Sequence, residues 1–243
     1  MRKLCLCLLI LFQVSFVYGQ SQDLSIEKLT KAVVFLKDTG TGFFIKNNNS
    51  LYLATASHVA KALNKNFTII TSDTAGKTFS INYINSAGWK VSKFADVAVS
   101  EIKDSLIRSL FYSSAIPISF LPQKLTWPDA ELPLVIIGFP LGLGVHENFS
   151  PLRRETNAAS HFVDLPRADN KEIATFVVLQ DPSIKGYSGA PIFIIRTYKF
   201  GDVLFKGANA EMCLGLVHGT ISDNTGGKLG LAVPGNYIYN LIK

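Results

Sequence analysis

The chain has 243 residues, 48% hydrophobic and 17% charged, which is enough apolar material for one large all-β domain or two small barrels and too much for a disordered segment. Its formal charge of +6 comes from scattered lysines and arginines. No run of five like charges and no basic stripe interleaved with aromatics occurs, so nucleic-acid binding has no footing.

In chain order the first element is a leader. Arg2 and Lys3 precede an apolar run from Leu4 to Val17, and Val17-Tyr18-Gly19 ends on a small residue suited to cleavage before Gln20. A run of 14 residues, interrupted by Gln13 and Ser15, is shorter than the roughly 20 residues a spanning helix needs. Residues 1–19 are therefore expected to be a cleaved signal peptide. The mature protein would be secreted or periplasmic, without stable membrane insertion. Once Arg2 and Lys3 are gone, 22 basic and 18 acidic residues remain, a formal charge of +4. Cys5 and Cys7 leave with the leader, so Cys213 has no cysteine to pair with in the mature chain, and its setting in CLGLV reads as a small buried hydrophobe.

After residue 30 come six strand patterns separated by Gly, Asn, Asp and Ser clusters: KAVVFLK, TGFFIKN, SLYLATASHV, FTIIT, KTFSINYI and FADVAVSEI. Leu106, Ile107, Leu110 and Phe111 then stand at helical spacing, which predicts a short helical linker within 104–114. From Ile116 the strand pattern resumes with PISF and LPLVIIGFP. After a polar excursion from Arg153 to Arg167 it continues with IATFVVLQD, APIFIIRTYKF, MCLGLVHGTI and LGLAVP. Past Pro234, residues Tyr237, Ile238, Leu241 and Ile242 share one helical face and predict a C-terminal helix on the second barrel. Two consecutive strand sets without βαβ alternation predict an all-β fold of two six-stranded antiparallel β-barrels, spanning 20–115 and 116–243.

The stretch GYSGAP places Ser188 between small residues at the start of an apolar run, as a nucleophile or as a polar residue in a tight turn. A serine hydroxyl is a poor nucleophile at neutral pH, so acyl transfer needs a base within reach, a group that orients the base, and donors for the developing oxyanion. Of the four histidines, His58 closes an apolar strand where an imidazole can face a cleft, although from this position alone a satisfied structural histidine is the better reading. Asp96 immediately precedes alternating apolar residues, where a carboxylate is costly unless it accepts hydrogen bonds. Asp73 and Asp104 have polar neighbours and suit turns or caps. His146 and His161 read as structural, and without HExxH or CxxC pairing neither a metal nor a cofactor is expected.

Together these segments resemble the trypsin-like serine peptidases, in particular the bacterial, disulfide-free branch that includes glutamyl endopeptidases and the protease domains of the high-temperature-requirement proteins. TGFFI and LATASHV are similar to the family's GTGF and TAAHV motifs, ADVAV to its aspartate motif, and GYSGAP to its GxSGGP serine motif. The order His, Asp, Ser, with separations of 38 and 92 residues, is that of the family. IIGFPLG and LGLAVPGNYI extend the likeness over most of the mature chain. The resemblance implies Ser188 as nucleophile, His58 as general base, and Asp96 as the group fixing the imidazole tautomer, with the amides of Gly186 and Ser188 as the oxyanion hole. Tyr187 replaces the aspartate before the serine of animal digestive enzymes, Ala190 the second glycine, and Ser57 an alanine.

The resemblance also implies that 181–185 and 216–220 wall the first specificity pocket, making Lys185, Val217, His218 and Gly219 candidate substrate contacts. Pro182 stands where an acid would confer a preference for basic side chains, whereas His218 and Lys185 together would attract an acidic one. The expected function is hydrolysis of protein or peptide substrates by an exported serine endopeptidase. A catalytically silent peptide-binding module along the strand near Val217, or an esterase with the same triad, are the alternatives.

Overall fold

A computed structural model describes residues 26–125, 133–167, 169–194, 197–200, 203–206 and 212–243. The expected signal peptide, its cleavage point, Cys5 and Cys7 lie outside the described residues. A short helix α1 (Ile26–Lys31) leads into β1 (Val33–Leu36), β2 (Gly40–Asn47), β3 (Ser50–Thr55), helix α2 (Ser57–Ala62), β4 (Asn66–Ser72), β5 (Thr78–Ile84), β6 (Lys90–Val91) and β7 (Ala98–Glu101). Helix α3 (Ser105–Phe111) and β8 (Ile116–Pro117) follow. The sheet runs β5-β4-β1-β2-β3-β7-β6, with β8 added in parallel to β2.

The second half holds β9 (Leu134–Gly138), β10 (Leu152–Thr156), β11 (Ala158–Pro166), β12 (Ile173–Leu179), β13 (Pro191–Ile194), a hairpin of β14 (Thr197–Phe200) and β15 (Val203–Lys206), β16 (Met212–Ser222), β17 (Lys228–Pro234) and helix α4 (Asn236–Ile242). Its sheet order is β10-β9-β13-β16-β17-β12-β11, antiparallel throughout. The molecule is thus all-β, two sheets with a C-terminal helix, and neither ladder closes on itself.

The strand inventory differs from the expected six and six for physical reasons. Of PISF only Pro117 is strand; with Ile116 it pairs with β2 of the first sheet before the chain turns into a 3-10 helix at Ile118–Phe120. The polar excursion folds as β10 and β11; a register shift between Ala158 and Phe162 breaks the alternation that would have revealed β11. Asp104 caps α3 by accepting from the Ile107 amide at 2.9 Å, and Asp73 accepts from Ala75 and Lys77 in a turn. Helix α4 buries Ile238 and Ile242, but it lies against β7 of the first sheet as well as β17, so it bridges the two sheets rather than covering the second alone. Phe35 and Phe139 meet across the sheets with ring centroids 5.6 Å apart, inside a core that includes Phe43, Phe44, Phe176 and Phe193. Cys213 lies in that core, and burial pushes its thiol up to about 12. Among the described residues, no helix is long and apolar enough to cross a membrane.

Candidate active site

Strand pairing brings the site together. β3 pairs with β7 so that Thr55 lies opposite Ala98; three residues past Thr55 and two before Ala98, His58 and Asp96 emerge at the same end. In the second sheet Pro191 lies opposite Leu216, so Ser188, three residues before Pro191, and His218, two past Leu216, also emerge together. His58 sits in the first turn of α2 rather than on the end of the strand.

Helix α2 opens at Ala56, which has no side-chain acceptor for the first-turn amides. Asp96 fills that role from another element: its Oδ1 accepts from the His58 amide at 3.0 Å and from the Ser57 hydroxyl at 2.8 Å. Its Oδ2 faces two imidazoles, with His58 Nδ1 at 2.6 Å and His218 Nδ1 at 2.5 Å. An ionised carboxylate only accepts, so both Nδ1 atoms carry the proton, and the Nε2 of neutral His58 is left with a lone pair. Burial alone would raise the Asp96 carboxyl, but the hydrogen bonds from His218 and His58 outweigh it and hold the carboxyl well below the usual carboxylate range.

Three further side chains, which the sequence reading did not place here, complete the surroundings. Arg167, 2% exposed, follows β11; its Nη2 donates to Ser57 Oγ at 2.9 Å and lies 3.7 Å from Asp96 Oδ1. Asp169 receives the Arg167 guanidinium through two bonds of 2.8 and 2.9 Å and pairs with Lys61 of α2 at 3.2 Å. Burial opposes ionisation of Asp169, yet the Arg167 bonds hold its carboxyl below the ordinary value. Ser57 is therefore more than a tolerated small side chain: it relays Arg167 to Asp96. A lone arginine in a polar run gives no sequence signal of such a role.

Both acids have depressed folded-state values, so each contributes stability that is present above the unfolded carboxylate range of about 4 and is lost as pH falls through the folded value. The urea unfolding midpoint is accordingly expected to hold between pH 6 and about 5 and to fall steadily below about 4. An Asp96→Asn variant, compared by the same titration, should show a shallower acid decline.

The Ser188 loop is shaped from the first sheet. Thr41 donates through Oγ1 to the Gly186 carbonyl at 2.7 Å and through its amide to the Ser188 carbonyl at 2.9 Å, while Thr55 Oγ1 holds the Thr41 carbonyl at 2.7 Å. Gly186 has φ +102°, and a Cβ there would stand 2.3 Å from the Phe139 carbonyl oxygen; Gly189 has φ +82°, with a Cβ 2.2 Å from Thr55 Oγ1. Neither position admits a side chain without movement of the backbone. The amides of Tyr187, Gly189 and Ala190 donate to Ile184, Val217 and Tyr187, whereas among the described residues no acceptor pairs with the amides of Gly186 and Ser188. Ser188 Oγ donates to the His218 carbonyl at 3.2 Å and forms no hydrogen bond with His58. The departures at Tyr187 and Ala190 are both buried in the apolar core of the second sheet.

The expected substrate contacts separate. Val217 is fully buried, with its amide bonded to Ala190 and its carbonyl to Gly189, so it offers a substrate neither side chain nor N–H. His218 and Lys185 do not converge: the His218 ring is buried on Asp96 and packs against Phe176 at 4.9 Å, whereas Lys185 is exposed and lines a cavity of about 620 Å³ with Phe35, Lys37, Leu141 and His146. Gly219 faces open space, with no atom within 4 Å of an added Cβ. Asp181 pairs with Arg154 at 3.4 Å. His161 is exposed on β11.

His58, Asp96 and His218 each offer one metal-ligand atom, all within 4.8 Å of one another. Two ligands of a tetrahedral metal with bonds of about 2.0–2.2 Å stand roughly 3.3 Å apart. The observed nitrogen to oxygen distances of 2.5 and 2.6 Å are those of hydrogen bonds instead.

No protein-family model and no curated protein matches the sequence. Solved structures do match. The MamO protease domain from Magnetospirillum magneticum, in its apo form, superposes with a TM-score of 0.58 at 14% identity, over 89% of this chain and 98% of that one. Rv3671c from M. tuberculosis, in an inactive form, gives 0.54 at 17% over 89% and 87%, and Deg5 gives 0.55 at 16% over 88% of each chain. The fold is that of the trypsin-like serine proteases.

Proposed function

We propose that this chain is an exported serine endopeptidase, with residues 1–19 as its signal, residues 20–115 carrying the base and acid, and residues 116–243 carrying the nucleophile. The observation that carries this reading is the His58 Nδ1 to Asp96 Oδ2 contact of 2.6 Å, which leaves the His58 Nε2 lone pair available, together with a serine loop whose amides at Gly186 and Ser188 meet no acceptor among the described residues. Ser188 Oγ turns from the His218 carbonyl to His58, gives its proton to Nε2 and attacks the peptide carbonyl carbon. The resulting oxyanion is held by the amides of Gly186 and Ser188. Collapse breaks the C–N bond as His58 returns the proton to the leaving amine, and water repeats the sequence on the acyl-enzyme. No cofactor is needed. The open space beside Gly219 supports it as a border of the path taken by the substrate chain.

A fluorophosphonate probe tests the reading. Covalent labelling of the folded mature protein, absent in Ser188→Ala and much reduced in His58→Ala, is the expected result, accompanied by internal cleavage of denatured polypeptides. Folded protein that neither labels nor cleaves overturns it and leaves a peptide-binding module. Labelling without peptide cleavage indicates an esterase. A Gly219→Val variant should keep its stability and its labelling rate with the small probe, yet show KM for peptides raised on the order of tenfold, since a branched side chain narrows that path without touching the reacting groups.

A further inference from the structure

We propose that His218 is a positioning residue for the acid of this site: its Nδ1–H holds the Asp96 carboxylate from the opposite sheet and shares the carboxylate charge with His58. The inference rests on the peptidase reading for its kinetic consequence, but not for the contact itself. His218 is 4% exposed on β16 and donates to the same oxygen as His58, with its ring edge-on to that of His58 at 5.6 Å and 86°. Phe176 packs on it at 4.9 Å and limits its rotation. Its backbone carbonyl accepts from Ser188 Oγ, so this one residue touches the acid with its side chain and the nucleophile with its main chain.

The carboxylate is saturated in consequence. Two N–H groups meet Oδ2, and the His58 amide and Ser57 hydroxyl meet Oδ1, which fixes the plane of the group and so the direction in which it pulls the His58 ring. Each donor also draws charge from the carboxylate. Losing the His218 donor leaves Asp96 freer to turn, and concentrates its negative charge on the His58 N–H. The first effect slows proton transfer; the second makes His58 more basic. The remaining charged groups packed around Asp96, namely Arg167, Asp169 and Lys61, are unchanged by substitution at His218 and stay as a constant background.

The test is the second-order rate of fluorophosphonate labelling from pH 5 to 9 in the mature chain. His218→Leu is expected to label about ten- to a hundredfold more slowly, the scale of one lost hydrogen bond to a charged group, with its acid limb moved to higher pH. His218→Asn, whose side-chain N–H stands near the place of Nδ1–H, should recover most of the rate and the original limb. An unmoved limb in His218→Leu, or His218→Asn no better than His218→Leu, overturns the proposal. To separate this from failure of the peptidase reading, the imidazole N–H protons are also followed by NMR in a Ser188→Ala background, where no acylation occurs. Adding His218→Leu, or His218→Ala should the leucine variant not fold, must shift the His58 Nδ1–H resonance. An unshifted resonance refutes the inference whether or not the wild type labels.

Discussion

The Asp96→Asn variant is expected to fold and to lose on the order of ten-thousandfold in fluorophosphonate labelling. An amide has one acceptor where the carboxylate has two. Placing its oxygen at the Oδ1 position keeps the bonds from the His58 amide and Ser57, which anchor the first turn of α2. The NH2 group then faces the two imidazoles, and each must turn its Nδ1 from donor to acceptor to remain bonded. In that tautomer His58 carries its proton on Nε2, the atom that receives one from Ser188 in the proposed mechanism. The opposite placement sets NH2 against the His58 N–H, donor to donor, and is excluded. Far-UV circular dichroism close to that of the wild type with labelling slowed by several powers of ten is the expected pair of results; labelling within tenfold of the wild type would remove Asp96 from the mechanism.

Arg167→Met is expected to lower the unfolding free energy by about 3–5 kcal/mol in urea titrations, the cost of breaking a buried ion pair by removing one partner. Asp169 would lose two guanidinium bonds and keep the half-exposed Lys61 and a long bond of 3.4 Å from the Ser57 hydroxyl, and Ser57 would lose the donor that orients its hydroxyl toward Asp96. Lysine should recover a minority of this, since an ammonium cannot reproduce the two-pronged contact with Asp169 while reaching Ser57. The double replacement Arg167→Met with Asp169→Leu should lie well above the single variant, because it leaves no unmatched buried charge. A single variant as stable as the wild type would show that solvent reaches Asp169 freely.

The sequence made the two sheets legible through short apolar runs bounded by turn residues, as in β2, whose first six residues are all buried, and through the alternation that opens β3. Alternation failed where the chain itself is irregular. The register shift in β11 hid a strand inside a polar run, and with it the hairpin that delivers Arg167. Of the site, motif likeness singled out His58, Asp96 and Ser188, which carry recognisable neighbours along the chain. The residues around them were not legible because their roles arise from pairing across distant strands. His218 was read toward a specificity pocket, yet the pairing of Pro191 with Leu216 brings it to the Ser188 end of the sheet, with its ring on Asp96. Thr41 belonged to a recognised strand motif, but nothing in TGFFI foretells that its side chain and amide both hold the serine loop. Ser57, which replaces an alanine of the motif, takes its meaning from Arg167, 110 residues away.

The hold of Thr41 on the Gly186 and Ser188 carbonyls carries a consequence for biogenesis. The loop bearing the hydroxyl takes its shape from a strand made about 145 residues earlier, and the acid is secured by groups from both halves. Contacts so remote in sequence are expected to close late, after each half has formed its own ladder. On the proposed peptidase reading, a newly made polypeptide would pass through its loose, easily cut stages while chemically harmless to itself and its neighbours, and would gain hydrolytic power only once it is too well folded to be its own victim.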